Sequence, residues 1–212
     1  MSNQNIADIN RKAWNAIVKQ EKTIHPTKGK KEAELLNVFI RSLPKGGKVL
    51  DLGCGSGIPI GKKLHNAGLV LVGVDVSEKM VKEYQKNISG ATTYRTPMTG
   101  INFKKEFDGI ISSFSMLCLP PDDFSLVAHK IALALKAGGW FLLILNEGDS
   151  KTGAVQEVQG EQMYSTGMSE KEVRDVFELQ GMKVIRVERE TVKTQEYGTE
   201  HTMLFLMQGK PC

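Results

Sequence analysis

Val49-Leu50-Asp51-Leu52-Gly53-Cys54-Gly55-Ser56-Gly57, followed by Val70-Leu71-Val72-Gly73-Val74-Asp75, constrains this chain more than any other segment. An apolar strand runs into a glycine-rich turn, a helix carries the chain back, and a second apolar strand ends on a carboxylate. That is the opening βαβ unit of a doubly wound sheet, whose ligands bind beyond the carboxyl ends of the strands. Glycines in the turn let the backbone bend sharply and bring its N–H groups close to a ligand with no Cβ in the way. Asp75, at the end of the second strand, can accept two hydrogen bonds from ribose hydroxyls. The unit reads as a site for an adenosine-containing molecule.

Three details select among such molecules. The dinucleotide pattern G-x-G-x-x-G needs a glycine at position 58, where Ile58 stands, the third glycine being Gly57. Asp51, just before the turn, would repel a pyrophosphate resting on the helix N-terminus but favour an ammonium or sulfonium charge. No Gly-Lys-Ser/Thr follows the loop, so nothing holds a triphosphate and its magnesium. S-adenosylmethionine meets all three conditions: it carries adenosine, has no phosphate, and brings a cationic methionine end to Asp51.

At these residues the chain resembles the class I S-adenosylmethionine-dependent methyltransferases, over roughly residues 45 to 208. Asp51 to Gly57 looks like their first motif and Asp75 like their ribose carboxylate. Phe107-Asp108-Gly109-Ile110-Ile111-Ser112-Ser113 looks like their fourth strand, and Leu135 to Gly139 like the turn into the fifth. The resemblance implies an α/β fold: a doubly wound, seven-stranded, mostly parallel sheet in the order 3-2-1-4-5-7-6, with strand seven antiparallel and helices on both faces. It further implies that Gly53, Gly55, Ser56 and Gly57 shape a methionine pocket with Asp51 near the ammonium. Val76, Met80 and Met98 would surround adenine, and Ser113 would close the site at the end of strand four. The product would be S-adenosylhomocysteine. One position departs from the pattern. Many relatives have an acidic residue before the position of Met98, whereas this chain has Pro97, which offers neither a side-chain acceptor nor an N–H. Adenine would then be held by stacking and backbone contacts.

With 212 residues and 41% hydrophobic content, the chain can bury one sizeable core. Residues 1–44 read as a helical extension or lid and residues 45–212 as the methyltransferase domain. No apolar run approaches the ~20 residues of a membrane span, and the polar N-terminus is unlike a signal peptide, so a cytoplasmic protein is expected. Cys54, Cys118 and Cys212 lack metal or disulfide spacing and read as free thiols. No metal site is expected, because no cluster has ligand spacing. The net charge of +4 is unevenly spread: residues 1–48 hold ten Lys/Arg against four Asp/Glu. This is either a solvated helical face or a basic lid that attracts an anionic substrate. Nucleic acid is disfavoured, since no aromatic-basic interleaving is present to stack bases. The partner expected is a small-molecule acceptor, with the protein acting as a monomer or homodimer.

Helices are predicted over Ile6–Val18 and Lys30–Arg41, joined by a turn at Thr23–Pro26, and after the cap Ser77, where Met80, Val81, Tyr84 and Ile88 repeat at helical spacing. Another carries Phe124, Val127, Ala128, Ile131 and Leu135. Ser169 to Glu172 is a capping box, with Met168 and Val173 at staple spacing, and Gly181 ends that helix. Lys183–Thr191 and His201–Met207 read as the last two strands.

Methyl transfer from a sulfonium is an in-line displacement that needs a bound donor, an aimed nucleophile and little water, so no catalytic pair is required. Candidates for the acceptor pocket are Ser113, Phe114 and Ser115 after strand four, and Asn146, Glu147 and Asp149 after strand five. Ser112-Ser113-Phe114-Ser115 stands where amino-methyltransferases tend to carry Asn/Asp-Pro-Pro-aromatic, which lowers the weight of adenine or glutamine as acceptor. His201 would start the antiparallel strand near Asn146 and Glu147, within reach of an acceptor proton. His25 could drop over the cofactor from the N-terminal turn. Trp14 and Tyr164 are candidates for lining the acceptor site. The reading is methyl transfer to an oxygen, nitrogen or sulfur atom of a small molecule. The alternatives are a non-methylating isomerisation or cyclisation on the same fold, or a non-catalytic binding subunit.

Overall fold

The computed structural model describes residues 3–18, 29–194 and 198–210. Two helices come first, α1 (Asn3–Ile17) and α2 (Lys30–Ser42). The alternating part follows as β1 (Lys48–Leu52), α3 (Ile60–Asn66), β2 (Val70–Asp75), α4 (Glu78–Asn87), β3 (Thr92–Arg95), β4 (Phe107–Ser113), α5 (Pro121–Ala134) and β5 (Leu135–Asn146). A hairpin of β6 (Ala154–Val158) and β7 (Glu161–Ser165) precedes α6 (Glu170–Leu179), β8 (Lys183–Thr194) and β9 (Gly198–Gln208).

Seven strands form one sheet in the order β3-β2-β1-β4-β5-β9-β8. β9 runs antiparallel to β5 and to β8, and the other pairings are parallel. With the β6–β7 hairpin set aside, this is the predicted order, β8 and β9 being the expected sixth and seventh strands. The hairpin was not expected; only Tyr164 within it was singled out. The turn expected at Leu135–Gly139 is counted within β5, whose pairing with β4 shifts register between Phe107 and Gly109.

Central strands are apolar on both sides because both faces are covered. Phe141 to Leu145 are fully buried. Phe141, Leu143 and Leu145 pack with Phe124, Val127 and Ile131 of α5 and with Val173 and Phe177 of α6. Leu142 and Ile144 face the opposite layer, with Leu35, Leu36 and Phe39 of α2, Leu64 of α3 and Tyr84 of α4. Thus α2 is built into the core against the sheet, whereas α1 lies elsewhere, packed through Ala13 and Ile17 onto Met163 of the hairpin.

Local signals act as expected. Ser77 accepts the Met80 N–H at 3.2 Å, and the Ser169–Glu172 box is closed in both directions. Met168 and Val173 are buried in one cluster. Among the described residues, no helix is long and apolar enough to cross a membrane.

Candidate active site

A cavity opens at the carboxyl ends of β1, β2 and β4. Its floor is the loop from Gly53 to Gly61, its sides are Asp51, Asp75, Val76, Pro97 and Met98, and its far end is Ser113 to Ser115 with Cys118 and Leu119. Ala7, Asn10 and Trp14 of α1 cover it.

The floor depends on glycine at Gly53. Its φ is +74°, its N–H donates to the Val74 carbonyl at 2.8 Å, and an added Cβ would overlap Ser115 and approach the Met98 Cε to 2.7 Å. Ser115 is fixed there because its hydroxyl donates to the Leu52 carbonyl at 2.7 Å and pairs with Ser112 Oγ at 2.7 Å. Phe114 turns with φ of 50°, a left-handed conformation unusual for an aromatic residue, and its N–H is anchored on the Ile144 carbonyl at 2.9 Å. Strain of this kind persists only where neighbours over-determine it.

Two carboxylates line the cavity. Asp51 is 4% exposed and accepts the Tyr84 hydroxyl at 3.1 Å on Oδ2. Asp75 accepts the Gly55 N–H at 3.0 Å and the Ser77 N–H at 2.8 Å, so one side chain ties the glycine loop to the start of α4. Burial pushes the Asp75 carboxyl up to about 6, against the opposing pull of the Ser77, Gly55 and Val76 backbone. Burial likewise pushes the Cys118 thiol up to about 12; the Trp14 side-chain hydrogen bond opposes the rise and the Asp75 charge adds to it. Cys118 is a neutral thiol in this setting.

The roof is held by asparagines. Asn10 donates to the Cys118 carbonyl and the Tyr164 carbonyl, both at 3.1 Å, and accepts the Tyr164 N–H at 2.8 Å, so it pairs with β7 as a neighbouring strand would. Asn15 accepts the Ser77 hydroxyl at 2.8 Å and the Lys79 N–H at 3.3 Å. Neither signal was read from the sequence, since a helical asparagine gives no hint of a partner 154 residues away.

Of the expected site residues, Asp51, Gly53, Gly55, Gly57, Asp75, Val76, Pro97, Met98, Ser113, Phe114 and Trp14 line this cavity. Ser56 and Met80 do not: Met80 is turned fully into the interior, and the Ser56 Oγ accepts the Ile58 N–H at 3.4 Å. Tyr164 reaches the site only through its backbone, because its buried ring lies under Gly153. His201 is beside strand β5 as expected, its carbonyl accepting the Glu147 N–H at 2.7 Å, but its exposed side chain meets Thr191 Oγ1 at 3.2 Å. Glu147 points to Arg189 at 2.9 Å. Asn146 donates to Glu200 at 3.4 Å, while its Oδ1 is buried with no partner among the described residues. None of these three lines the cavity. His25 lies outside the described residues. Among the described residues no Lys or Arg of the N-terminal helices lines the cavity; Arg11 pairs with Asp8 and Lys31 with Glu188. Ile58 to Gly61 and Leu119 were missed; the loop's continuation could have been extended from Gly57.

The sheet order and the glycine floor flanked by two carboxylates define a class I methyltransferase fold. Residues 49–139 match the family described as methyltransferase domain. Among solved structures it is similar to a 1,6-didemethyltoxoflavin-N1-methyltransferase of Burkholderia thailandensis with bound 1,6-didemethyltoxoflavin and S-adenosylhomocysteine, at 15% identity, 99% coverage of this chain, 91% of that one and a TM-score of 0.78. It is also similar to a structure described as a complex between the Haloferax volcanii Trm112 methyltransferase activator and a methyltransferase, at 19% identity, 98% coverage of each chain and a TM-score of 0.72. The [4+2]-cyclase SpnF shares the fold at 12% identity, 85% and 82% coverage and a TM-score of 0.65. No curated protein matches the chain.

Proposed function

We propose that this protein binds S-adenosylmethionine and transfers its methyl group to an oxygen, nitrogen or sulfur atom of a small molecule. The observation that carries the reading is the cavity itself. Gly53 leaves room that a side chain would fill, and two carboxylates line the sides, Asp51 for a cationic group and Asp75 for a ribose. S-adenosylmethionine supplies the chemistry when bound, an electrophilic methyl on a sulfonium. The chain's own residues bind, orient and dry the site. Asp51 offers a buried negative charge to an ammonium, an attraction strengthened by its low exposure. Asp75 exchanges one or both of its backbone hydrogen bonds for ribose hydroxyls. Trp14, Phe114 and Leu119 exclude water from the acceptor end, where positioning along the transfer axis supplies the acceleration. Cys118, held as a neutral thiol, does not compete as a nucleophile.

Calorimetric titration with S-adenosylmethionine tests the reading. One site per chain with micromolar affinity is the expected result, falling at least tenfold in Asp75→Asn. Absence of binding up to millimolar concentration would overturn it. Product mass then separates methyl transfer, which adds one CH2, from isomerisation or cyclisation, which adds nothing.

A further inference from the structure

Among the described residues Tyr84 is the largest wholly buried side chain, and it lies beneath the cavity floor. A Cβ added at Gly57, Gly61 or Gly73 would come within 2.8, 3.1 or 3.0 Å of its ring, so three backbone segments are pressed against one phenol. The hydroxyl emerges beside Asp51 and donates to Oδ2 at 3.1 Å. Gly61 crowds the same oxygen, since a Cβ there would stand 3.2 Å from it. Burial, and next the Asp51 charge, push the phenol far above its ordinary value, so it stays a protonated donor at neutral pH. Tyr84 does not itself line the cavity, whereas Asp51 does.

We propose that Tyr84 is a positioning residue for the amino-acid end of the ligand: its hydroxyl fixes the orientation of the Asp51 carboxylate so that it meets an ammonium. The inference rests on the S-adenosylmethionine reading and adds a division of labour to it. Recognition of the ammonium runs through Tyr84 and Asp51 on β1, while recognition of the ribose runs through Asp75 on β2. A hydrogen bond to a charged acceptor is among the stronger kinds, so removing the Tyr84 donor takes away one of the contacts that orient the Asp51 carboxylate.

The test compares two ligands on the full chain. S-adenosylhomocysteine carries the amino acid; 5′-methylthioadenosine shares the adenosine and the sulfur but lacks it. Tyr84→Phe keeps the ring under the glycines and removes only the hydroxyl. Calorimetry should show S-adenosylhomocysteine weakened about tenfold in Tyr84→Phe, with 5′-methylthioadenosine changed less than about twofold. In an Asp51→Asn background, the additional loss on Tyr84→Phe should vanish, which a general loosening of the floor would not reproduce. Equal weakening of both ligands would overturn the inference in favour of simple packing, and so would unchanged binding of both. Wild-type protein that binds neither ligand would overturn the S-adenosylmethionine reading and the inference with it. Wild-type binding without discrimination in the variant overturns the inference alone.

Discussion

The ionisation of Glu32 opposes the fold. It is the third residue of α2 and 7% exposed. Glu190 of β8 lies against it, its carboxylate accepting the N–H groups of Lys31 at 3.2 Å and Glu32 at 3.3 Å at the start of that helix. Burial first, and the Glu190 charge second, push the Glu32 carboxyl from 4.5 to about 7, with Lys63 pulling the other way. A carboxyl whose folded pKa lies above its unfolded one binds its proton more tightly in the native state. Its contribution to stability is complete below about pH 4.5, declines as the pH rises, and is lost above about pH 7. A shift of about two and a half pKa units corresponds to about 3 kcal/mol. Glu32→Gln keeps the shape and removes the charge. Urea denaturation should find the variant more stable than the wild type by about 3 kcal/mol at pH 8 and by less than about 1 kcal/mol at pH 4. The same difference at both pH values would refute the reasoning, because the gain would then owe nothing to ionisation.

Three further outcomes are expected. Gly53→Ala forces a side chain onto a φ of +74° and against Ser115; it should cost roughly 2–4 kcal/mol and abolish binding of S-adenosylmethionine, read by thermal denaturation and calorimetry. Asn10→Ala removes three hydrogen bonds between α1 and the β7 and β4 loops, which should raise amide exchange in α1 by at least tenfold while β4 and β5 remain protected. Loss of protection across the whole sheet would show that α1 is no separate roof. Ser169→Ala opens the capping box of α6 and should lower stability by about 1 kcal/mol with cofactor affinity unchanged.

The sheet and the cavity floor were legible because their causes are local. Val49 to Leu52, apolar except for Asp51, and Leu71 to Val74 are runs that a two-sided sheet buries. Gly53 must be glycine for a backbone reason, and Asp51 and Asp75 sit at fixed offsets from it. Ser77 and Ser169 announce their helices by the residues three positions on. The acceptor end was not legible in the same way. His201 and Glu147 were placed correctly along the strands, but a strand residue's side chain faces one side or the other, and here Thr191 and Arg189 claim them. Tyr164 was expected for its ring, but it is its backbone that bonds Asn10. Asn10, Asn15 and Tyr84 look like ordinary helix residues until the fold brings β7, Ser77 and Asp51 beside them. Periodicity and turn chemistry operate over a few residues and are written in the chain. Which polar atoms meet across 154 residues depends on how the layers stack, and that is settled only by the tertiary structure.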